Sequence, residues 1–306
     1  MNQVSDNMIG VSEEMSKVKS LIEMVAPSRT SVLILGETGT GKELVARAMH
    51  SQSPRREAPF VVINSSALQE NILESELFGY KKGAFTGAHS HKQGLLEVAN
   101  NGTCFIDEVG DMGPSIQAKV LRVVESGVFM KLGDTRETKV DVRFLFATNK
   151  DLGSLVEKGS FRKDLFYRIN TFTIKLPSLR ERGKDIALLA NYFLNRFSTG
   201  DKYLSSEVLR LFAAYDWPGN VRELANVVQS SILLSGSRRN IVVDDLPENI
   251  INARKSVSEE EFSLADIQEE HVIKILNFAH GNKAKTARLL GISRKTLYRK
   301  LGLQGA

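Results

Sequence analysis

One glycine-rich run that ends in a lysine has the residue types and the spacing to bind phosphate. It follows the apolar stretch 31–35 and precedes a helical pattern at 43–50. Glycines let successive backbone N–H groups point at phosphate oxygens, the lysine adds positive charge, and the helix N-terminus adds its dipole. This context predicts a P-loop (Walker A motif) made of Gly36, Glu37, Thr38, Gly39, Thr40, Gly41 and Lys42, with Glu43 where a magnesium-binding Ser or Thr usually stands.

Two adjacent carboxylates end another apolar stretch. Asp107 and Glu108 follow residues 102–106 in a Walker B pattern, in which the first carboxylate can hold Mg²⁺ and the second can polarise an attacking water. A solvated strand end is the alternative, and the P-loop argues against it. A third apolar stretch ends at Thr148 and Asn149, whose polar side chains lie beside the γ-phosphate if the strands are neighbours.

A six-residue segment downstream of the P-loop holds one aromatic ring among very small residues. Its members are Gly83, Ala84, Phe85, Thr86, Gly87 and Ala88. Such a segment cannot pack a stable element, so we expect Phe85 and Thr86 to be presented to a partner. A core role for Phe85 is the alternative, and the flanking glycines give it no packing frame. With the phosphate site, the segment indicates a machine that uses ATP hydrolysis to move an exposed loop.

Apolar strands that alternate with helices must position the P-loop, the two carboxylates and the exposed segment. Apolar runs recur near residues 31, 61, 104, 144 and 172 with helical patterns between them. This order predicts an α/β fold with a parallel sheet and helices on both faces. From residue 179 to 250 the pattern is helical without a convincing strand, and Leu188, Leu189, Phe193, Leu194, Leu209, Leu211, Phe212, Val227 and Val228 are candidate core residues. We predict an α/β subdomain at 1–177, a helical lid at 178–251, a linker at 252–262 and a helical tail domain at 263–306.

Composition limits the class of protein. The 306 residues suffice for two or three folded units, and 42% hydrophobic with 25% charged residues is typical of a soluble globular protein. The apolar runs are far shorter than the about 18 residues that span a bilayer, and the N-terminus lacks a signal core. We therefore expect a cytoplasmic protein. The single cysteine, Cys104, is expected to be a small core residue.

Positive charge is concentrated in the tail. Residues 281–306 hold seven of the 41 basic residues and no acidic one. The rest of the chain therefore has 34 basic and 36 acidic residues, a net charge of −2. A local basic patch of this kind indicates nucleic acid as the partner.

The tail also has helix-turn-helix spacing. Gly291 can end one helix and Ser293 can cap the next. The expected DNA-binding residues are Lys283, Lys285, Ser293, Arg294, Lys295, Thr296, Arg299 and Lys300. A plain basic helical hairpin is the alternative. The preceding helical pattern at 264–278 has an apolar face that could pair two subunits over a palindromic site.

These motifs together resemble the AAA+ activators of sigma-54 RNA polymerase, the NtrC-like bacterial enhancer-binding proteins, over essentially the whole chain. The resemblance rests on residues 36–43, 76–79, 83–88, 107–108, 161–168 and 217–224. In this family Glu normally ends the P-loop, so Glu43 supports the assignment. The tail resembles the Fis-type domain of the same family.

The resemblance implies roles for single residues. Asp107 would coordinate Mg²⁺ and Glu108 would position the hydrolytic water of ATP, while Asn64 would bond to that glutamate and couple the nucleotide state to the loop. Arg162 and Arg168 match arginine fingers that reach a neighbouring subunit, and Arg222 matches a nucleotide-sensing lid arginine. Surface salt bridging is the alternative for these arginines.

The implied partners are sigma-54 RNA polymerase holoenzyme, contacted by the loop at 83–88, and enhancer DNA, bound by dimers. The arginine fingers require a homo-oligomeric ring of six or seven subunits. Many relatives first carry a receiver, as in two-component systems, or a sensor domain. Here the ATPase region starts near residue 9, so we expect control by a partner protein or an N-terminal domain that was removed.

Two other functions are compatible with parts of the sequence. One is an AAA+ remodeller that acts on DNA or on another protein, such as a helicase loader, and it leaves the loop at 83–88 unexplained. The other is a DNA-binding regulator that uses nucleotide only to assemble, and the intact pair Asp107 and Glu108 disfavours it.

Overall fold

The computed structural model of the chain describes residues 8–198, 200–257, 275, 283–293 and 296–297, without the side chains of 253–257 and 284. The described residues form two compact units that divide between Asp245 and Leu246. Most of the expected linker and the expected pairing helix at 264–278 lie outside the described residues. The domain limits given above stay predictions.

A five-stranded sheet forms the centre of the first unit. Numbered along the whole chain, its strands are β1 (Val32–Leu35), β2 (Phe60–Asn64), β5 (Thr103–Asp107), β8 (Arg143–Thr148) and β9 (Phe172–Lys175). The order is β2-β5-β8-β1-β9, and each neighbouring pair is parallel. Each apolar run of the sequence forms one of these strands, so the predicted parallel sheet is confirmed.

Helices cover both faces of this sheet. They are α1 (Glu13–Val25), α2 (Lys42–Ser51), α3 (Glu70–Phe78), α4 (Leu95–Val98), α5 (Pro114–Ser126), α6 (Leu152–Glu157) and α7 (Lys163–Ile169). Because strand side chains alternate, Val32 and Ile34 pack into one core with α1 and α2, whereas Leu33 packs into the other with α3, α5 and α7. The two cores explain why the strands are apolar along their whole length.

Two short antiparallel pairs extend from the α3 side of the sheet. One joins β3 (Gly79–Tyr80) to β4 (Lys92–Gln93), and the other joins β6 (Val128–Met130) to β7 (Glu137–Lys139). Leu132, in the turn between β6 and β7, connects the two pairs: its N–H donates to Gly79 O and its carbonyl accepts from Lys81 N. The loop at 83–88 therefore rises from a fixed base.

The region after β9 is mostly helical, with one correction. Its helices are a 3-10 turn (Leu179–Arg182), α8 (Gly183–Phe197), α9 (Ser206–Ala214) and α10 (Asn220–Leu234). The expectation of no strand is wrong, since β10 (Tyr203–Leu204) pairs in parallel with β11 (Asn240–Ile241). Two residues are too few to show a strand period in sequence.

Most candidate core residues of this region are buried. Leu189, Leu194, Phe212, Val227 and Val228 are buried, and Phe193, Leu209 and Leu211 are partly so. Leu188 is 41% exposed, so its predicted core role is wrong. Among the described helices, none is both long enough and apolar enough to cross a membrane.

The second unit contains α11 (Glu248–Val257) and α12 (Lys283–Leu289) among its described residues. Gly291 follows α12 with a left-handed φ of 65°, and Thr296 N donates to Ser293 Oγ at 3.1 Å. The predicted helix end and N-cap are therefore confirmed. Ala287 and Leu297 are buried together across this turn.

Cys104 lies in the middle of the sheet and is fully buried, as predicted. Burial raises the pKa of the Cys104 thiol to about 12. Because the thiolate is the reactive form, we expect a thiol-specific reagent to leave the native protein unlabelled at neutral pH and to label it after unfolding in guanidinium. Absorbance measures the extent of labelling. Rapid labelling of the native protein would contradict the buried position of Cys104.

Candidate active site

A cavity of about 780 Å³ opens at the carboxyl ends of the central strands. Eleven of the residues selected from the sequence line it: Thr38, Gly39, Thr40, Gly41, Lys42, Glu43, Asn64, Asp107, Glu108, Asn149 and Arg222. Its apolar part includes Met8, Ile9, Leu189, Tyr192 and Phe193. The volume and the mixed lining are typical of a small-molecule site.

Lys42 is a buried cation of this cavity. Its Nζ donates to Gly36 O at 3.0 Å and lies 3.3 Å from Glu108 Oε1. Gly41 precedes α2 and has no side chain that could bond to the first N–H groups of the helix. Gly39 has a φ of +82°, and a Cβ there would lie 2.3 Å from Gly219 O, so only glycine fits. The predicted P-loop therefore has phosphate-binding geometry.

The two carboxylates stand next to the lysine. Glu108 has a left-handed φ of 52°, a strained conformation for this residue, and its Oε2 accepts from Asn149 N at 3.2 Å. Asp107 Oδ1 accepts from Glu108 N. Burial, and then the charge of Glu108, raise the pKa of Asp107 above its ordinary value, while Lys42 opposes the shift. A divalent cation would relieve this destabilised charge.

The polar strand ends are brought together as predicted. Thr148 pairs in register with Leu35, so β8 does adjoin the P-loop strand. Asn149 Nδ2 donates to Thr38 Oγ1 at 3.1 Å. Thr148 itself is buried, its Oγ1 accepts from Lys150 N, and it is not among the cavity residues of the described chain.

Asn64 and Glu43 have other partners. Asn64 lies beside Asp107 in the sheet register, but its Oδ1 accepts from Ser66 N and Ser66 Oγ. Here the partners of Glu108 are Lys42 and Asn149. Glu43 accepts from Arg47 one helical turn later. The expected Asn64–Glu108 hydrogen bond is therefore not seen in this structure and stays a prediction.

Contacts between the lid and the P-loop were missed by sequence reasoning. Arg180 and Asn220 both donate to Glu37 Oε2, at 3.1 and 3.0 Å. The Arg180 hydrogen bond and then that of Asn220 lower the pKa of Glu37. Glu37 therefore faces the lid and is absent from the described cavity lining. Arg180 and Asn220 lie more than 140 positions from Glu37, so local patterns carry no sign of these contacts.

Arg162 and Arg168 lie apart from the cavity of their own chain. Arg162 directly precedes α7 and pairs with Asp164, and both side chains are about half exposed. Arg168 Nη2 donates to Val124 O at 3.4 Å. Within the described residues neither arginine lines the cavity. A role at a nucleotide site therefore requires a second subunit.

The loop at 83–88 is closed by its own hydrogen bonds. Gly83 N donates to Ala88 O at 2.9 Å, and Gly83 and Gly87 have positive φ angles. Ala88 is buried and anchors the loop. Phe85 is 46% exposed, with its ring edge-on to Tyr80 at 4.9 Å between centroids. A core role for Phe85 is excluded, and Thr86 is exposed beside it.

Part of the predicted DNA-binding surface lies within the described residues. Lys283, Lys285 and Ser293 are exposed, and Thr296 is half-buried. The remaining candidates, Arg294, Lys295, Arg299 and Lys300, lie outside the described residues.

Three family models match successive parts of the chain. The sigma-54 interaction domain matches residues 8–175, the AAA+ ATPase lid domain matches 180–262, and the Fis family of bacterial regulatory proteins matches 263–302. The chain belongs to the sigma-54-dependent transcriptional regulators. The resemblance and the AAA+ fold predicted from the sequence are thus confirmed.

Three relatives show how far this family likeness extends. The chain is 44% identical to the transcriptional regulatory protein ZraR of Escherichia coli, covering 96% of this chain and 68% of ZraR. It is 44% identical to AtoC of Escherichia coli, covering 90% and 63%. It is 42% identical to the nitrogen fixation protein AnfA of Azotobacter vinelandii, covering 95% and 56%. The chain therefore spans between about half and two thirds of the length of these relatives.

Two solved structures share its fold. NtrX from Brucella abortus in complex with ADP has a TM-score of 0.75 at 33% identity, covering 98% of this chain and 69% of NtrX. NtrX in complex with ATP gives 0.74 at 33% identity, covering 98% and 71%.

Lys42 supplies a buried positive charge in the P-loop, so we expect Lys42→Ala to weaken binding of a fluorescent ATP analogue at least about tenfold. Lys119→Ala removes a surface lysine that pairs with Glu74 and is the matched control. Fluorescence titration of both variants measures the difference. Equal affinity of Lys42→Ala and wild type would remove Lys42 from the site.

Proposed function

We propose that this chain hydrolyses ATP while bound to enhancer DNA and converts closed sigma-54 RNA polymerase complexes to open ones. The carrying observation is the half-exposed Phe85, on a glycine-flanked loop that rises from the separate β3–β4 pair, in the same unit as the phosphate site. The family match and the nucleotide complexes of NtrX support the same conclusion.

The residues of the cavity fit ATP and Mg²⁺. Lys42 and the P-loop N–H groups would bind the phosphates, and Arg222 of the lid would contact them from the other side. Asp107, whose pKa is raised, would hold Mg²⁺, which neutralises charge on the phosphates. Glu108 would accept a proton from the attacking water once phosphate replaces it as the partner of Lys42.

A short connection links the site to the loop. Asn64 ends β2 beside Asp107, and residues 65–69 lead into α3, which ends at Phe78 next to Gly79 at the base of the loop. We infer that Asn64 changes its partner from Ser66 to Glu108 during the ATP cycle. The resulting shift of α3 moves Phe85 against sigma-54.

Assembly and DNA binding complete the proposal. Arg162 and Arg168 would act on the site of a neighbouring subunit in a ring of six or seven copies. The Fis-type tail would bind palindromic enhancer DNA as dimers, with affinity that falls steeply as salt rises. DNA as the partner supports a cytoplasmic location.

Remodelling of a different target is the second candidate function. Hydrolysis of ATP without open complexes would favour it.

Phe85→Ala and Thr86→Ala change only exposed side chains of the loop, so we expect near-normal ATP hydrolysis and loss of open complexes. Phosphate release and permanganate footprinting of a sigma-54 promoter measure the two activities. Leu233→Ala removes another exposed apolar side chain, at 76% exposure, and should retain both activities. Loss of hydrolysis along with assembly in the loop variants would point to a structural role.

Arg162→Ala and Arg168→Ala should bind ATP normally and lose most of their turnover, because an arginine finger contributes about 10³-fold or more to hydrolysis. Arg56→Ala, at an exposed pair with Glu57, is the control. Mixing either variant with Glu108→Gln subunits should restore part of the turnover, since each mutant supplies what its neighbour lacks. Near-normal hydrolysis by a variant alone would exclude that arginine as a finger.

A further inference from the structure

A buried carboxylate of the lid holds the segment that precedes α1. Asp185, in the first turn of α8, is fully buried. Its Oδ1 accepts from Val11 N at 2.7 Å and from Ser12 N at 3.0 Å, and its Oδ2 accepts from Ser12 Oγ at 2.7 Å. Three hydrogen bonds to one buried carboxylate fix the segment firmly to the lid.

This segment is also a wall of the cavity. Met8 and Ile9, separated from the bonded residues by Gly10 alone, belong to its apolar lining with Tyr192 and Phe193 of the lid. The phosphates of a nucleotide are bound by Lys42 and the P-loop, so the apolar lining is where the purine ring can be buried. The position of Met8 and Ile9 then decides how well the base fits.

Close packing fixes the path of the segment. A Cβ on Gly10 would lie 2.8 Å from Asp185 Oδ2, and Lys19 Nζ donates to Gly10 O at 2.8 Å. One turn before Asp185, Arg182 Nη2 donates to Thr40 O of the P-loop at 3.2 Å. The same stretch of lid therefore contacts the phosphate loop through Arg182 and the apolar wall through Asp185.

We propose that Asp185 is a positioning residue that sets the base-binding wall and thereby selects for the purine part of the ligand. The inference rests on the proposed function, because it takes the ligand to be ATP. Loss of the Asp185 carboxylate releases residues 8–12 and weakens binding of the base. Binding of the phosphates through Lys42 is left intact.

The test compares ATP with inorganic tripolyphosphate, which has the phosphates without the base, by isothermal titration of the full chain. Asp185→Asn removes the negative charge and puts an N–H donor in place of the acceptor Oδ2, so it should lower the affinity for ATP about tenfold and change that for tripolyphosphate less than about twofold. Asp245→Asn is the matched control, since Asp245 is a buried carboxylate that accepts from Val242 N and pairs with Arg238. It is not among the cavity residues of the described chain, and it should change neither affinity.

Equal losses for both ligands in Asp185→Asn would indicate a structural role and overturn the proposal, as would an unchanged affinity for ATP. If Asp185→Asn does not fold, Ser12→Ala removes one of the three bonds and should give a smaller loss, about threefold, for ATP alone. An unchanged affinity for ATP in Ser12→Ala would then overturn it. A wild-type chain that binds neither ligand would instead refute the proposed function.

Discussion

The Lys42 ammonium is a nearly buried cation, and the arrangement of the first unit depends on its neutralisation. A buried charge needs a close counter-charge and hydrogen-bond acceptors. Here Glu108 Oε1 lies 3.3 Å away and Gly36 O accepts at 3.0 Å. The sheet order β5-β8-β1 brings the end of β5 close enough for this contact. We propose that a phosphate group takes the place of the carboxylate, which then becomes available to act on water.

Two connections lead from this ion pair to the rest of the molecule. Toward the lid, Glu37 binds Arg180 and Asn220, and Asp185 binds the segment before α1. Toward the loop, β2 and α3 run from Asn64 to the base of residues 83–88. Glu37 belongs to the P-loop and Asn64 lines the cavity, so we propose that a change of ligand there acts on the lid and on Phe85 together.

The sequence predicts those features that local patterns encode. Five apolar runs, one glycine-rich turn and two adjacent carboxylates were enough to find the sheet, Lys42 and the pair Asp107 and Glu108. Local patterns do not encode contacts across long separations, so the lid partners of Glu37 and the partner of Asn64 had to come from the structure. The exposed Leu188 shows a further limit, because a helical period gives the apolar face only to within a residue.

The decisive measurement is open-complex formation by purified sigma-54 holoenzyme, made once with ATP and once with a non-hydrolysable analogue. We expect open complexes with ATP and none with the analogue, because we propose that loss of the γ-phosphate moves the loop. Hydrolysis of ATP without open complexes, or open complexes with the analogue, would contradict it.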